Sequence, residues 1–88
     1  MELRIRYHQF MQGFYTSMLL MQSSTNKDII MNAGKLERIC QRILLHTQAL
    51  INLTANKREA NEKYTEKQDL LQKMIDKYKV MGAAAKWL

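Results

Sequence analysis

Residues 29–88 decide the fold, and they read IIMNAGKLERICQRILLHTQALINLTANKREANEKYTEKQDLLQKMIDKYKVMGAAAKWL. A seven-residue repeat runs through this stretch without interruption. Its a and d positions are apolar or aromatic except at Asn32, His46, Lys57 and Lys67. A repeat of this length is typical of a helix whose apolar side packs along another helix. The repeat does not identify the partner of that helix.

The composition favours an all-α fold. The 88 residues include no proline and only three glycines, the residues that interrupt helices and that β-sheets use in their turns. A chain of this length has a modest core, and oligomerisation often adds to the stability of such small domains. We therefore expect one helical domain over residues 1–88.

A polar segment at residues 22–28 separates the repeat from an N-terminal helix. Its small polar side chains hydrogen-bond to nearby backbone and compete with helix formation. Thr25 as an N-cap, with Asp28 three residues later, is similar to a capping box. The prediction is an antiparallel helical hairpin with coiled-coil-like packing, formed by a short helix over residues 2–23 and a long helix over residues 26–85.

The predicted long helix has one weak region. Between Thr54 and Lys67 the apolar positions of the repeat are reduced to Ala60 and Tyr64. A three-helix bundle with a turn near residues 55–57 is therefore the alternative. Neither glycine nor proline occurs there, and the phase of the repeat is the same on both sides, so the sequence favours a continuous helix.

The N-terminal helix carries a stripe of aromatic residues and methionines. Large side chains on one face of a helix most often fill a core. We therefore expect the stripe to pack on the first half of the repeat. The predicted intramolecular core consists of Tyr7, Phe10, Phe14, Met18, Met21, Leu36, Ile39, Ile43, Leu50 and Leu53.

His46 falls at a d position of the repeat, among apolar residues. His8 is the only other histidine, and neither belongs to a cluster with the spacing of metal ligands. His46 is therefore interpreted as a core or boundary residue rather than a ligand.

The second half of the repeat is the predicted functional surface. A first helix of 22 residues is about 33 Å long, so it covers only one of the two apolar blocks of the repeat. The short connection places it on the first block, which leaves the C-terminal block for a partner, with Trp87 as an aromatic anchor. The predicted partner-binding residues are Leu70, Leu71, Met74, Ile75, Tyr78, Met81, Trp87 and Leu88.

The chemistry of the sequence points away from catalysis. It contains no glycine-rich phosphate loop, no paired His/Cys set and no acidic metal loop, and its eight carboxylates are scattered. We expect no catalytic residue, cofactor or metal. The predicted function is a non-catalytic helical protein–protein association module, such as an assembly subunit, an adaptor or a small chaperone. It would bind a protein partner or a second copy of itself through an apolar, methionine-rich helix face.

The formal net charge of +6 supports an alternative function. Lysine and arginine supply the sequence-independent part of nucleic-acid binding. The alternative is a basic helical nucleic-acid-binding accessory protein of phage, plasmid or bacterial type. It ranks second because its basic residues are spread around the helix. They are Lys57, Arg58, Lys63, Lys67, Lys73, Lys77 and Lys79.

Cys40 is the only cysteine, so an intramolecular disulfide is impossible and the cytoplasm or another reducing compartment is expected. At the N-terminus, Arg4 and Arg6 alternate with apolar residues, unlike a signal peptide. Secretion without a signal peptide remains open as an alternative. The longest uncharged run is interrupted by polar residues, so we expect no membrane span.

Overall fold

The computed structural model describes residues 2–25 and 32–85. These residues form three α-helices, α1 (Glu2–Thr25), α2 (Ala33–Leu53) and α3 (Arg58–Ala85), and no β-strand. The all-helical prediction is confirmed. Thr25 is the last residue of α1 and not the N-cap of a second helix. The predicted helix start at Asn26 lies outside the described residues.

The prediction of one long second helix is wrong, because the chain turns after Leu53. Thr54 is buried; its backbone N–H and its hydroxyl both donate to the carbonyl of Leu50, at 2.9 and 2.6 Å. The N–H of Lys57 then donates to the carbonyl of Thr54 at 2.9 Å. This bond closes a four-residue turn before Arg58, at the place where the alternative interpretation expected one.

Side chains stabilise this turn in the absence of glycine and proline. Asn61 of α3 donates from Nδ2 to the carbonyl of Ile51 at 2.8 Å, and a helix C-terminus leaves such carbonyls without an intrahelical partner. The apolar sides of α2 and α3 face each other. Because the connection between the two helices is close to one helical turn in length, the seven-residue repeat has the same phase on both sides of the turn. A preserved phase therefore does not distinguish a turn from a continuous helix.

The core forms where all three helices meet. Its largest share comes from α2, which packs against both α1 and α3. The buried cluster consists of Leu19, Leu36, Ile39, Cys40, Ile43, Leu71 and Ile75. Five partly buried side chains pack against it: Tyr15, Met18, Leu44, Met74 and Tyr78. The central helix α2 thus holds both of its neighbours in place.

Candidate association surface

Hydrogen bonds between side chains connect α1 to α2. Gln12, which is buried, donates from Nε2 to Oγ1 of Thr47 at 2.6 Å. The hydroxyl of Thr47 donates in turn to the carbonyl of Ile43 at 2.8 Å. Nearby, Nδ1 of His8 lies 2.8 Å from Nδ1 of His46. We refer to Gln12, Thr47, His8 and His46 as the polar layer.

The opposite side of α1 exposes an apolar stripe. Its members are three, four or seven residues apart, so at 100° per residue they lie within about 60° of one another and roughly opposite Gln12. All of them remain at least half exposed: Leu3 81%, Tyr7 55%, Phe10 71%, Phe14 51% and Met21 62%. We refer to these five residues as the outer stripe.

The sequence-based prediction is wrong for four core residues, which are exposed: Tyr7, Phe10, Phe14 and Met21. The stripe exists, but it lies on the side of α1 opposite Gln12; Tyr7, at its edge, also contacts His46 of α2, with 5.9 Å between the ring centroids. The helix carries a second set of large side chains on its other side, among them Tyr15 and Leu19, and these contact the core. The side of α1 that is buried includes Gln12, whose amide donates a hydrogen bond to Thr47, 35 residues away. The periodicity of apolar residues within α1 gives no sign of this contact.

The remaining predicted core residues lie closer to their expected places. Four of them are buried: Leu36, Ile39, Ile43 and Leu50. Met18 packs at the edge of the core, and Leu53 is half-buried.

The predicted partner-binding block of α3 lies mostly in the core. Leu71 and Ile75 are buried there, Met74 and Tyr78 pack against them, and Met81 is half-buried. This arrangement follows from the turn and from the packing of α3 against α2. The block is therefore not the free surface that a continuous helix would have made it.

The other three residues of that prediction are Leu70, Trp87 and Leu88. Leu70 is 60% exposed on α3. Trp87 and Leu88 lie outside the described residues.

The basic residues of the nucleic-acid alternative lie on α3 and just before it. Arg58 forms an exposed ion pair with Glu62, with 3.1 Å between Nε and Oε1. Lys67 is half-buried, and burial lowers its pKa. The other five are exposed: Lys57, Lys63, Lys73, Lys77 and Lys79. Acidic residues lie between them along α3, so the surface has mixed charge.

The histidine pair is a feature that the sequence did not reveal, because His8 and His46 are 38 residues apart. Their ring centroids are 5.1 Å apart. The ring of Tyr7 lies edge-on to both imidazoles, and Tyr15 stacks on His46 at 5.9 Å. One Nδ1–H donates to the lone pair of the other Nδ1, so at least one ring of the pair must be neutral.

Acidification is expected to weaken the folded state through His46. Burial, and after it the positive charges of His8 and Arg42, lower the pKa of His46. Folding therefore favours neutral His46. Its contribution is complete above the ordinary pKa of about 6.5 and is lost as the pH falls through the lower folded-state value.

Urea unfolding followed by circular dichroism at about pH 7.5 and about pH 5 measures this loss. The wild type should lose more stability between the two pH values than His46→Gln, which keeps a polar side chain that does not titrate. Equal losses would show that His46 does not contribute to the pH dependence.

Two further properties concern the whole described part of the chain. Among residues 2–25 and 32–85, no group of three or more His, Cys, Asp or Glu side chains is placed to hold a metal ion. None of the three helices combines the length and the apolar composition needed to cross a membrane.

Comparisons with known proteins found no relative of this chain. No protein-family model, no curated protein and no solved structure matches it. Its function is therefore inferred from its own surfaces.

Proposed function

We propose that this chain is a non-catalytic helical protein–protein association module and that the outer stripe of α1 is its docking surface. The observation that carries the proposal is the exposure of five large apolar side chains on one helix face, while Gln12 is buried on the other. Burial of apolar surface contributes about 25 cal/mol of stabilisation for each Å², and apolar surface that stays in water lacks this contribution. A contiguous exposed patch of this kind is typical of a protein interaction site.

The spacing of the stripe favours a helical partner. Leu3, Tyr7, Phe10 and Phe14 follow one another at intervals of four, three and four residues, and Met21 continues the same seven-residue repeat. This is the pattern of a side that packs along another helix. Three of the five residues are aromatic, and aromatic side chains contribute strongly to interface energies.

The rest of the fold serves to present α1. We propose that α1 and α3 pack as antiparallel neighbours of α2 in a coiled-coil-like manner. Support comes from His8, near the start of α1, which bonds to His46 in the second half of α2. At the other end of α2, Gly82 of α3 lies beside Ala33. The polar layer then holds α1 with its stripe directed outward.

Site-directed photo-cross-linking tests this function. Phe10→p-benzoylphenylalanine places a photoreactive group at the centre of the stripe, and irradiation of cells that produce the variant is expected to give a covalent protein adduct. The matched control is Leu70→p-benzoylphenylalanine, because Leu70 is similarly exposed but lies on α3. We expect no adduct from the control.

A second substitution ties the adduct to the stripe. Adding Phe14→Ser to the Phe10 variant should abolish the adduct, because it removes the neighbouring aromatic contact. Failure to form an adduct at position 10, equal adducts at positions 10 and 70, or an adduct unaffected by Phe14→Ser would each contradict the proposal.

A further inference from the structure

We propose that the occupant of the outer stripe is a second copy of this chain, so that two α1 helices pair antiparallel about a two-fold axis. This inference rests on the proposed function, because it names the partner of the same surface. Three observations support it: the register of the stripe, its area and the distribution of charge along α1.

The register of the stripe is self-complementary. The five stripe residues and Ser17, which lies on the same face of α1 between Phe14 and Met21, follow at intervals of four, three, four, three and four residues, a series that is unchanged when the helix direction is reversed. Antiparallel pairing centred on residue 12 therefore makes three kinds of layer. In these layers Leu3 faces Met21, Tyr7 faces Ser17, and Phe10 faces Phe14 of the second copy.

The layers fit in size as well as in spacing. The bulky Tyr7 meets the small Ser17, so two large rings do not collide there. A two-fold interface uses the same patch on both copies and requires this kind of self-complementarity.

The exposed area is close to what a stable dimer buries. Large side chains carry roughly 150–250 Å² each, so with the exposed fractions given above the five stripe residues expose roughly 500–800 Å² per copy. A standard protein interface buries about 800 Å² per partner.

The charges of α1 favour the antiparallel orientation. The two positive charges of Arg4 and Arg6 and the one negative charge of Glu2 lie near its start, which gives this end a net positive charge, and no acidic residue follows between Leu3 and Thr25. Parallel pairing would gather the arginines of both copies at one end, where like charges repel. Antiparallel pairing separates the two groups by roughly 20 Å and also opposes the two helix dipoles.

Gly13 lies beside the expected two-fold axis. A Cβ built at this position would meet no atom within 4 Å, so the isolated fold tolerates a side chain there. In the antiparallel dimer, the two copies of residue 13 are offset by only about 3 Å along the helix axis, whereas the two copies of residue 20 are about 24 Å apart. Leu20 occupies the same flank of the stripe, seven residues later.

Cross-linking with a short bismaleimide uses this difference. In the full-length protein, Gly13→Cys is expected to give a covalent dimer and Leu20→Cys is expected to remain monomeric on a denaturing gel. Wild-type Cys40 is the background control. Its thiol is buried, and burial raises its pKa to about 11, so it stays protonated and unreactive near neutral pH.

Two measurements complete the test. Sedimentation of the wild type should give a mass of twice 10.4 kDa. Phe10→Ser removes one ring from each copy and should raise the dissociation constant about 100-fold or more, abolishing the Gly13→Cys cross-link, while the helical circular dichroism signal is retained.

The possible outcomes separate this inference from the proposed function. Equal cross-linking at positions 13 and 20 would overturn the antiparallel pairing. A monomeric wild type with no cross-link at position 13 would overturn the dimer. An adduct of the Phe10 photo-probe with a different protein would then leave the association function standing with another partner, whereas the lack of any adduct would remove both.

Discussion

Leu36→Ala is expected to lower the free energy of unfolding by about 3 kcal/mol, within the range of about 2–5 kcal/mol typical of buried leucines. Leu36 is fully buried in the cluster where the three helices meet. The substitution removes apolar contacts and leaves a cavity that rigid neighbouring helices fill only in part. For a domain of this size, the melting temperature falls by roughly 4–8 °C per kcal/mol.

Leu45→Ala is the matched control for this experiment. It makes the same chemical change on the same helix, but Leu45 is 58% exposed. Its effect should stay within about 0.5 kcal/mol. Urea unfolding of both variants, followed by circular dichroism, measures the difference. Equal costs would show that α2 does not have the orientation described here.

Thr47→Val is expected to cost about 1–3 kcal/mol although it hardly changes the volume of the side chain. Valine lacks the hydroxyl that accepts the hydrogen bond from Gln12. The amide of Gln12 then remains buried without its partner, and its desolvation is no longer compensated. The measurement is again the free energy of unfolding in urea.

The double variant Gln12→Met/Thr47→Val separates the lost bond from lost packing. With both polar partners replaced, no buried amide remains unpaired, so the double variant should be more stable than Thr47→Val alone. In a double-mutant cycle the two changes should couple by more than about 0.5 kcal/mol. Strictly additive effects would contradict a direct bond between the two side chains.

This bond bears on function because α1 has large apolar residues on both sides. Leu19 and Tyr15 face the core, and the outer stripe faces solvent. Burial of apolar surface alone therefore does not fix which side contacts α2. Hydrogen bonds are directional, and those of Gln12 and His8 are satisfied in one orientation of the helix. The polar layer thus explains why the stripe remains accessible.

The sequence by itself determined the properties that depend on neighbours along the chain. The lack of proline and the heptad repeat led to an all-helical fold. The repeat also placed Leu36, Ile43 and Leu50 on the inner side of α2, where they are buried. Periodicity is a local property of a helix, so it can be read without knowing what the helix contacts.

Only the tertiary structure decided where the chain turns and which side of α1 is exposed. The turn after Leu53 depends on the bond from Asn61 to Ile51, ten residues away. The orientation of α1 depends on two hydrogen bonds to α2. One joins Gln12 to Thr47, 35 residues away, and the other joins His8 to His46, 38 residues away. Because of these contacts, the C-terminal block is largely buried and the outer stripe is exposed. The contacts that decide which apolar side of α1 is buried come from residues distant in sequence, so the periodicity of α1 alone does not show it.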